Sequence, residues 1–239
     1  MFNPDPKVEL LPIVDDQVCL VIDDALLEPE RWVANAVGRR ADFRLAPFNA
    51  YPGLEFHLPP ELSARLEDYF RLHARQRLQV RRTLQMYSRL SLVTLAPPQL
   101  APIQWLCHRD RFGVPPEQRA LASVAYLFRD ESLGGTSFFR PRRGAAETEA
   151  LMRQAASAKD TAAAEGFSAA TGVRRGYLTE SNDWFERVCT VPARWNRLIF
   201  YDGSLFHSPD IRSPERLSDD PASGRLTLNG FFTCSRASI

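Results

Sequence analysis

Four histidines stand in this 239-residue chain, and two of them have neighbours suited to holding a metal ion. His108 and Asp110 form an H-x-D step at the end of a predicted strand. Side chains alternate along a strand, so both point to one face. His207 follows 99 residues later, at the start of another predicted strand. Two imidazoles and one carboxylate are the facial ligand set of non-haem Fe(II) centres, which leaves three positions open. An H-x-D alone is a weak signal, since a lone histidine is more often a hydrogen-bonded polar group. A kinase reading of His108-Arg109-Asp110 fails, because no Gly-rich loop or DFG accompanies it. A third feature is the stretch GRLTLNGFFT at 224–233. Alternation puts Arg225, Thr227, Asn229 and Phe231 on one face, and Leu226, Leu228 and Phe232 on the other. Two readings are open at this point. The polar face meets solvent, or Arg225 lies inside a barrel and grips a carboxylate in bidentate fashion, with Thr227 adding a hydroxyl.

The elements that must position these residues are short strands. Segments 18–22, 90–95, 103–110, 121–128, 137–139, 188–191, 198–201, 205–211 and 225–233 read as strands bounded by Pro and Gly turns. Most of them fall after residue 84, in the pattern of an all-β sandwich or jelly roll. Residues 28–39 have helical character, with Pro29 near the start and Gly38 near the end. Pro59-Pro60 opens a second helix over about 61–81, with Arg71, Arg75, Arg77, Arg81 and Arg82 crowding its end as a solvated face. Residues 147–170 are rich in Ala, Arg, Lys and Glu and read as a helical insertion ending near Gly172. Lid and surface ornament are equal readings of it.

Taken in order, VCLVIDDALLEPERW, CHRD, SVAYLFRDESLGGTSFF, NRLIFYDGSLFHSP and GRLTLNGFF resemble the Fe(II)/2-oxoglutarate-dependent dioxygenases, in particular the prolyl-4-hydroxylase-like branch. The resemblance covers roughly residues 84–235 and, more loosely, 15–83. It implies a mainly β fold, a double-stranded β-helix or jelly-roll core (84–235) with an N-terminal strand and helices (15–83) and one helical insertion (147–170), all in a single domain over 1–239. It implies Fe(II) on His108, Asp110 and His207, and the distal carboxylate of 2-oxoglutarate on Arg225 with Thr227 assisting. Tyr126 stands where the family often places a tyrosine that hydrogen-bonds 2-oxoglutarate; a core tyrosine beside Val124 and Phe128 is the other reading. The activity implied is oxidation of a substrate C–H bond with release of succinate and CO2. With a carboxylate at 110, where related halogenases carry a small residue, hydroxylation or desaturation is expected, not halogenation. Two departures stand out: Thr227 replaces the more usual Ser, and the insertion lies outside the common barrel. No recognition motif of collagen or factor-type prolyl hydroxylases is evident, so proline is not implied as substrate.

Composition narrows the setting. With 30 basic against 29 acidic residues the net charge is +1, which gives no bulk reason for a nucleic-acid or anionic-membrane partner. No apolar run approaches the roughly 18 residues that span a bilayer, and MFNPDPKVEL lacks the pattern of a secretory signal. Cys19, Cys107, Cys189 and Cys234 are scattered without a CxxC pair, as expected of a reducing cytoplasm. Only two of the 30 basic residues are lysine. A GC-rich bacterial genome accounts for that, as does an arginine-lined surface for carboxylates or phosphates. The expected partner is a small molecule, amino acid or peptide; oligomeric state is unreadable. Two other functions fit less well: a catalytically silent jelly-roll binding protein, and a cupin-type metalloenzyme without 2-oxoglutarate. The second usually needs more histidines than His108 and His207; His57 and His73 are assigned no role.

Overall fold

The computed structural model describes residues 1–45, 51–111 and 113–236. Its strands are rich in β-branched and aromatic residues, in apolar runs (β2, β9) or alternating stretches (β11), between Pro, Gly and Asp turns. In chain order the elements are β1 (Val8–Val14), β2 (Gln17–Ile22), α1 (Pro29–Gly38), β3 (Arg44–Leu45), β4 (Gly53–His57), α2 (Pro60–His73) and β5 (Val80–Val93). They continue with β6 (Gln118–Tyr126), β7 (Thr136–Pro141), α3 (Ala145–Ser157), α4 (Thr161–Thr171), β8 (Phe185–Val191), β9 (Leu198–Asp202), β10 (Phe206–Pro209) and β11 (Arg225–Arg236).

Two antiparallel sheets result. The larger has the order β1-β2-β9-β6-β11-β5-β4-β3, the smaller β10-β7-β8. Pairing is nested: β5 with β11, His108 with His207 through an isolated bridge, β6 with β9, and β7 with β8. First pairs with last and second with next-to-last, which is the winding of a jelly roll, or double-stranded β-helix. The mainly β architecture with flanking helices is the expected one.

Three apolar clusters hold it. One lies between the large sheet and the helices: Leu90, Leu92, Phe200, Leu226, Leu228 and Phe232 meet Leu66, Tyr69 and Phe70 of α2. Phe70, fully buried and stacked on Phe232 at 4.4 Å, contributes roughly 1.5–3 kcal/mol by its burial. A second joins the sheets through Phe138, Ile199 and Tyr201. The third gathers Leu151, Ala155, Ala164 and Phe167 of α3 and α4 around Trp105, Leu106 and Cys107.

Several local expectations need correction. The strand expected over 103–110 is instead a short 3-10 turn, Pro102–Trp105, followed by the single bridge at His108. Pro102 starts that turn, and Trp105 Nε1 donates to Leu100 O at 3.0 Å, which closes the chain on itself. The helix expected over 61–81 stops at His73. Gln79 takes a positive φ of 55° and turns the chain into β5, ten residues before the expected strand. Arg81 and Arg82 are therefore strand residues. The insertion is two helices, the second capped by Asp160, whose carboxylate accepts from Ala163 N at 2.8 Å, and ended by Gly172 in the left-handed region. β1 was hidden by Pro12; it lies at a sheet edge, where proline is tolerated. Among the described residues no helix is long and apolar enough to cross a membrane.

Candidate active site

The His108 bridge fixes the first half of the site. His108 N donates to His207 O and His207 N to His108 O, both at 2.9 Å, so the two rings stand 4.4 Å apart. Asp110 N donates to Gly203 O at 2.7 Å, which folds the H-x-D step back over the β9–β10 turn. A bridge and a turn, not strand alternation, bring the three side chains together. Their ligand atoms all lie within 4.8 Å of one another. Asp110 Oδ2 is 3.1 Å from His207 Nε2 and Oδ1 is 3.6 Å from His108 Nε2.

These contacts define the protons. His207 Nδ1 is 2.9 Å from Leu205 O, and a carbonyl only accepts, so Nδ1 carries hydrogen. A neutral His207 then turns the Nε2 lone pair on a carboxylate oxygen. Two lone pairs at 3.1 Å require a proton or a cation to share. Neighbouring ligand atoms about 2.1 Å from one octahedral ion lie about 3 Å apart, and the Asp110–His207 pair stands at that spacing. Burial pushes the Asp110 carboxyl up, but the two histidines outweigh it and hold it well below the carboxylate range. Burial also pushes His207 down, and Asp110 overcomes this to raise it. Burial and His207 both lower His108, which leaves it neutral and able to ligate.

Arg225 lines the same cavity. It is buried, and its Nε donates to Leu133 O and Gly134 O at 3.0 and 3.1 Å, and Nη2 to Gly135 O at 2.8 Å. Its guanidinium also lies over Phe128, 5.6 Å from the ring centre. Among the described residues no carboxylate pairs with it. A buried guanidinium without a counter-charge is costly and is suited to an incoming anion. Thr227 stands two residues further along the same face of β11. The cavity has a volume of about 80 Å³, room for several waters or for the small molecule that displaces them.

His108, Asp110, His207, Arg225 and Thr227 therefore line one cavity. Tyr126 stands behind its wall: its ring belongs to the core and its hydroxyl is 2.8 Å from Thr136 Oγ1, and Thr136 is the residue that lines the cavity. Sequence reasoning passed over Tyr51 and Tyr177. Tyr51 comes beside Arg225 because Thr94 N and Leu95 N both donate to Pro52 O, and burial pushes its phenol up to about 12. Tyr177, just past the insertion, donates to Leu95 O at 2.6 Å. Both depend on loop closure across distant segments, which leaves no periodic signal. Asn229, on the Arg225 face, donates to Ser91 Oγ at 2.9 Å. Phe139, Phe185 and Trp184 belong to the cluster around α3 and α4. His57 of β4 stacks on Tyr87 of β5, and His73 packs on Tyr69 within α2.

A family model described as a family of unknown function, DUF6445, matches residues 4–232. No curated protein matches the chain in sequence. Among solved structures it is similar to HygX from Streptomyces hygroscopicus with nickel and 2-oxoglutarate bound: 12% identity, 94% of this chain and 88% of that one, TM-score 0.49. It is similar to EvdO2 from Micromonospora carbonacea var. aurantiaca at 12% identity, over 97% and 95% of the two chains, TM-score 0.49. A prolyl hydroxylase from Trichoplax adhaerens, in complex with a hypoxia inducible factor peptide fragment, is similar at 11% identity over 91% and 83%, TM-score 0.43.

Proposed function

Since the chain belongs to DUF6445, a family of unknown function, we propose from the site itself that it is an Fe(II)- and 2-oxoglutarate-dependent oxygenase. The observation that carries this reading is a His-Asp-His cluster and, on the same cavity, a buried arginine with no carboxylate partner among the described residues. His108, Asp110 and His207 would hold Fe(II). Arg225 would hold the distal carboxylate of 2-oxoglutarate, with Thr227 as a hydroxyl partner and Tyr126 acting through Thr136. With O2 and 2-oxoglutarate, bound iron supplies the oxidation of a substrate C–H bond, and succinate and CO2 leave.

The protein's own contribution is positional. Leu205 O fixes the His207 tautomer so that Nε2 points at the cluster. Asp110 stays anionic and offsets the charge of a divalent ion. The guanidinium, held by three backbone carbonyls, is aimed before ligand arrives, which saves ordering entropy on binding. The order of the motifs supports the prolyl-4-hydroxylase-like branch, and the Asp110 carboxylate favours hydroxylation over halogenation. A small molecule, amino acid or peptide is the substrate class, acted on in the cytoplasm. Chlorine incorporation by the unmodified protein would count against the hydroxylation reading.

Anaerobic calorimetry of 2-oxoglutarate binding, with and without Fe(II), tests the proposal. Iron-dependent binding is expected, lost in His207→Ala and Arg225→Ala. No binding in any form would leave a silent jelly-roll protein as the reading. Metal binding lost in His57→Ala or His73→Ala would instead favour a cupin-type site.

A further inference from the structure

The cluster is reached from the His108 side. His108 keeps 37% of its side-chain surface exposed against 6% for His207, and Arg225 on the same cavity is buried. Two surface grooves meet at this opening. One borders Asp110 and is lined by Tyr87, Val114, Pro115 and Phe231, with no charged side chain apart from Asp110 itself. Tyr87 and Phe231 stack at 4.9 Å and give it an aromatic wall. The other borders His108 and is lined by Arg109, Arg111, Glu149, Met152, Arg153 and Phe206. Its far wall is helix α3 of the insertion.

This second groove carries three guanidiniums against one carboxylate. Glu149 meets Arg153 only at 4.0 Å, with both side chains well exposed, and such a pair contributes little. Arg109 is laid over the Phe206 ring, 4.7 Å from its centre, which restrains the guanidinium without neutralising it. Neither Arg109 nor Arg111 enters an ion pair among the described residues. Arg89 differs, although it also lines the cavity: it grips Glu55 at 2.9 and 3.1 Å, so its charge already has a partner. Uncompensated positive charge at the opening thus collects on the His108 side.

We infer that the substrate carries an oxyanion, a carboxylate or a phosphate monoester, seated among Arg109, Arg111 and Arg153. Its apolar part lies toward Tyr87 and Phe231, and the C–H bond between the two is presented to the His-Asp-His cluster. This rests on the oxygenase reading for the chemistry, but the anion site stands on its own geometry. The insertion thereby takes part in recognition, because α3 supplies Arg153 as a specificity-determining residue.

Calorimetry on the Fe(II)- and 2-oxoglutarate-loaded protein under nitrogen tests it, with phenyl phosphate, benzoate and neutral benzamide as probes. Phenyl phosphate or benzoate is expected to bind, and benzamide at least tenfold more weakly. The two anions separate the phosphate and carboxylate arms. Arg153→Glu, at an exposed position, and Arg111→Gln are each expected to weaken the anion at least fivefold while 2-oxoglutarate binding is kept. Rising salt is expected to weaken it further. Equal binding of benzamide, no binding of either anion, or affinities untouched by both substitutions would overturn the inference. Anion binding abolished by Arg225→Gln alone would overturn it too, by placing the anion at Arg225. If wild type binds the aromatic anion but never 2-oxoglutarate, the oxygenase reading fails and the anion site stands.

Discussion

Gly134 and Gly135 explain how a buried arginine can be held on the wall of the cavity. Their carbonyls accept from Arg225, and neither residue has space for a side chain. A Cβ on Gly134 would lie 1.9 Å from Asp210 O, and one on Gly135 would lie 1.9 Å from Val191 O. Gly134 also has a φ of +84°, where a Cβ is strained. Both contacts are with backbone, which cannot swing aside. Gly134→Ala is therefore expected to destabilise the fold by about 3 kcal/mol, the sum of overpacking and left-handed strain. It should also lower 2-oxoglutarate affinity, because the Arg225 cradle shifts. Urea unfolding and calorimetry read the two effects; an unchanged urea midpoint would refute the close-approach argument. Gly134-Gly135 stands in the stretch SVAYLFRDESLGGTSFF, but its grip on Arg225 leaves no local signal, since the partners are 91 and 90 residues apart.

At the scale of elements, the insertion and the hairpin β1–β2 do different work. Helices α3 and α4 share a core with Trp105, Leu106 and Cys107, the residues that lead into His108. The insertion thus buttresses a site segment that has no full strand of its own. Leu151→Ala empties a buried position of α3 and is expected to cost about 2–5 kcal/mol. Metal affinity should fall with it, as the His108 segment loosens; full metal affinity in a destabilised Leu151→Ala protein would show the two to be uncoupled. The hairpin is stapled to β9 by Asp23 and Arg197, at 2.6 and 2.9 Å. The Arg197 hydrogen bond holds the Asp23 carboxyl below its ordinary 3.8. A folded value below the unfolded one gives stability that is present above 3.8 and disappears as pH falls through the folded value. Asp23 is half exposed, so solvent screening limits the effect to about 1 kcal/mol. Asp23→Asn should be less stable than wild type at about pH 7, and the difference should shrink as pH falls below 3.8, in urea titrations across that range. The sequence showed β2 and α1 through their apolar runs and Pro29. It concealed β1, whose edge position admits Pro12, and it made the 3-10 turn at Pro102 look like a strand, because IQWLC is largely apolar.

Over the whole molecule, the site is assembled from both sheets. His207 comes from β10 of the smaller sheet and His108 from the segment bridged to it, while Arg225 comes from β11 of the larger. The nested pairing brings residues 108, 207 and 225 together, so the cavity exists only when the jelly roll is closed. The alternation of GRLTLNGFF made the β11 face readable, and H-x-D with a distant histidine made the cluster readable, because both are local patterns. Tyr51, Tyr177 and the Arg109–Arg153 groove depend on how loops close, and no local pattern announces them. A ligand that reaches from the His-Asp-His cluster to Arg225 touches both sheets and binds only the folded state, so it must raise stability by mass action. At about a hundred times its Kd the gain is about 2.7 kcal/mol, and for a chain of this length that is about 5–10 °C in Tm. Under nitrogen, 2-oxoglutarate with Fe(II) is expected to produce such a shift in wild type and in Arg153→Glu. Without metal, or in Arg225→Gln, the shift should vanish. A full shift without metal would mean that the carboxylates are held by arginine alone, and the His-Asp-His cluster would then have no part in binding the co-substrate.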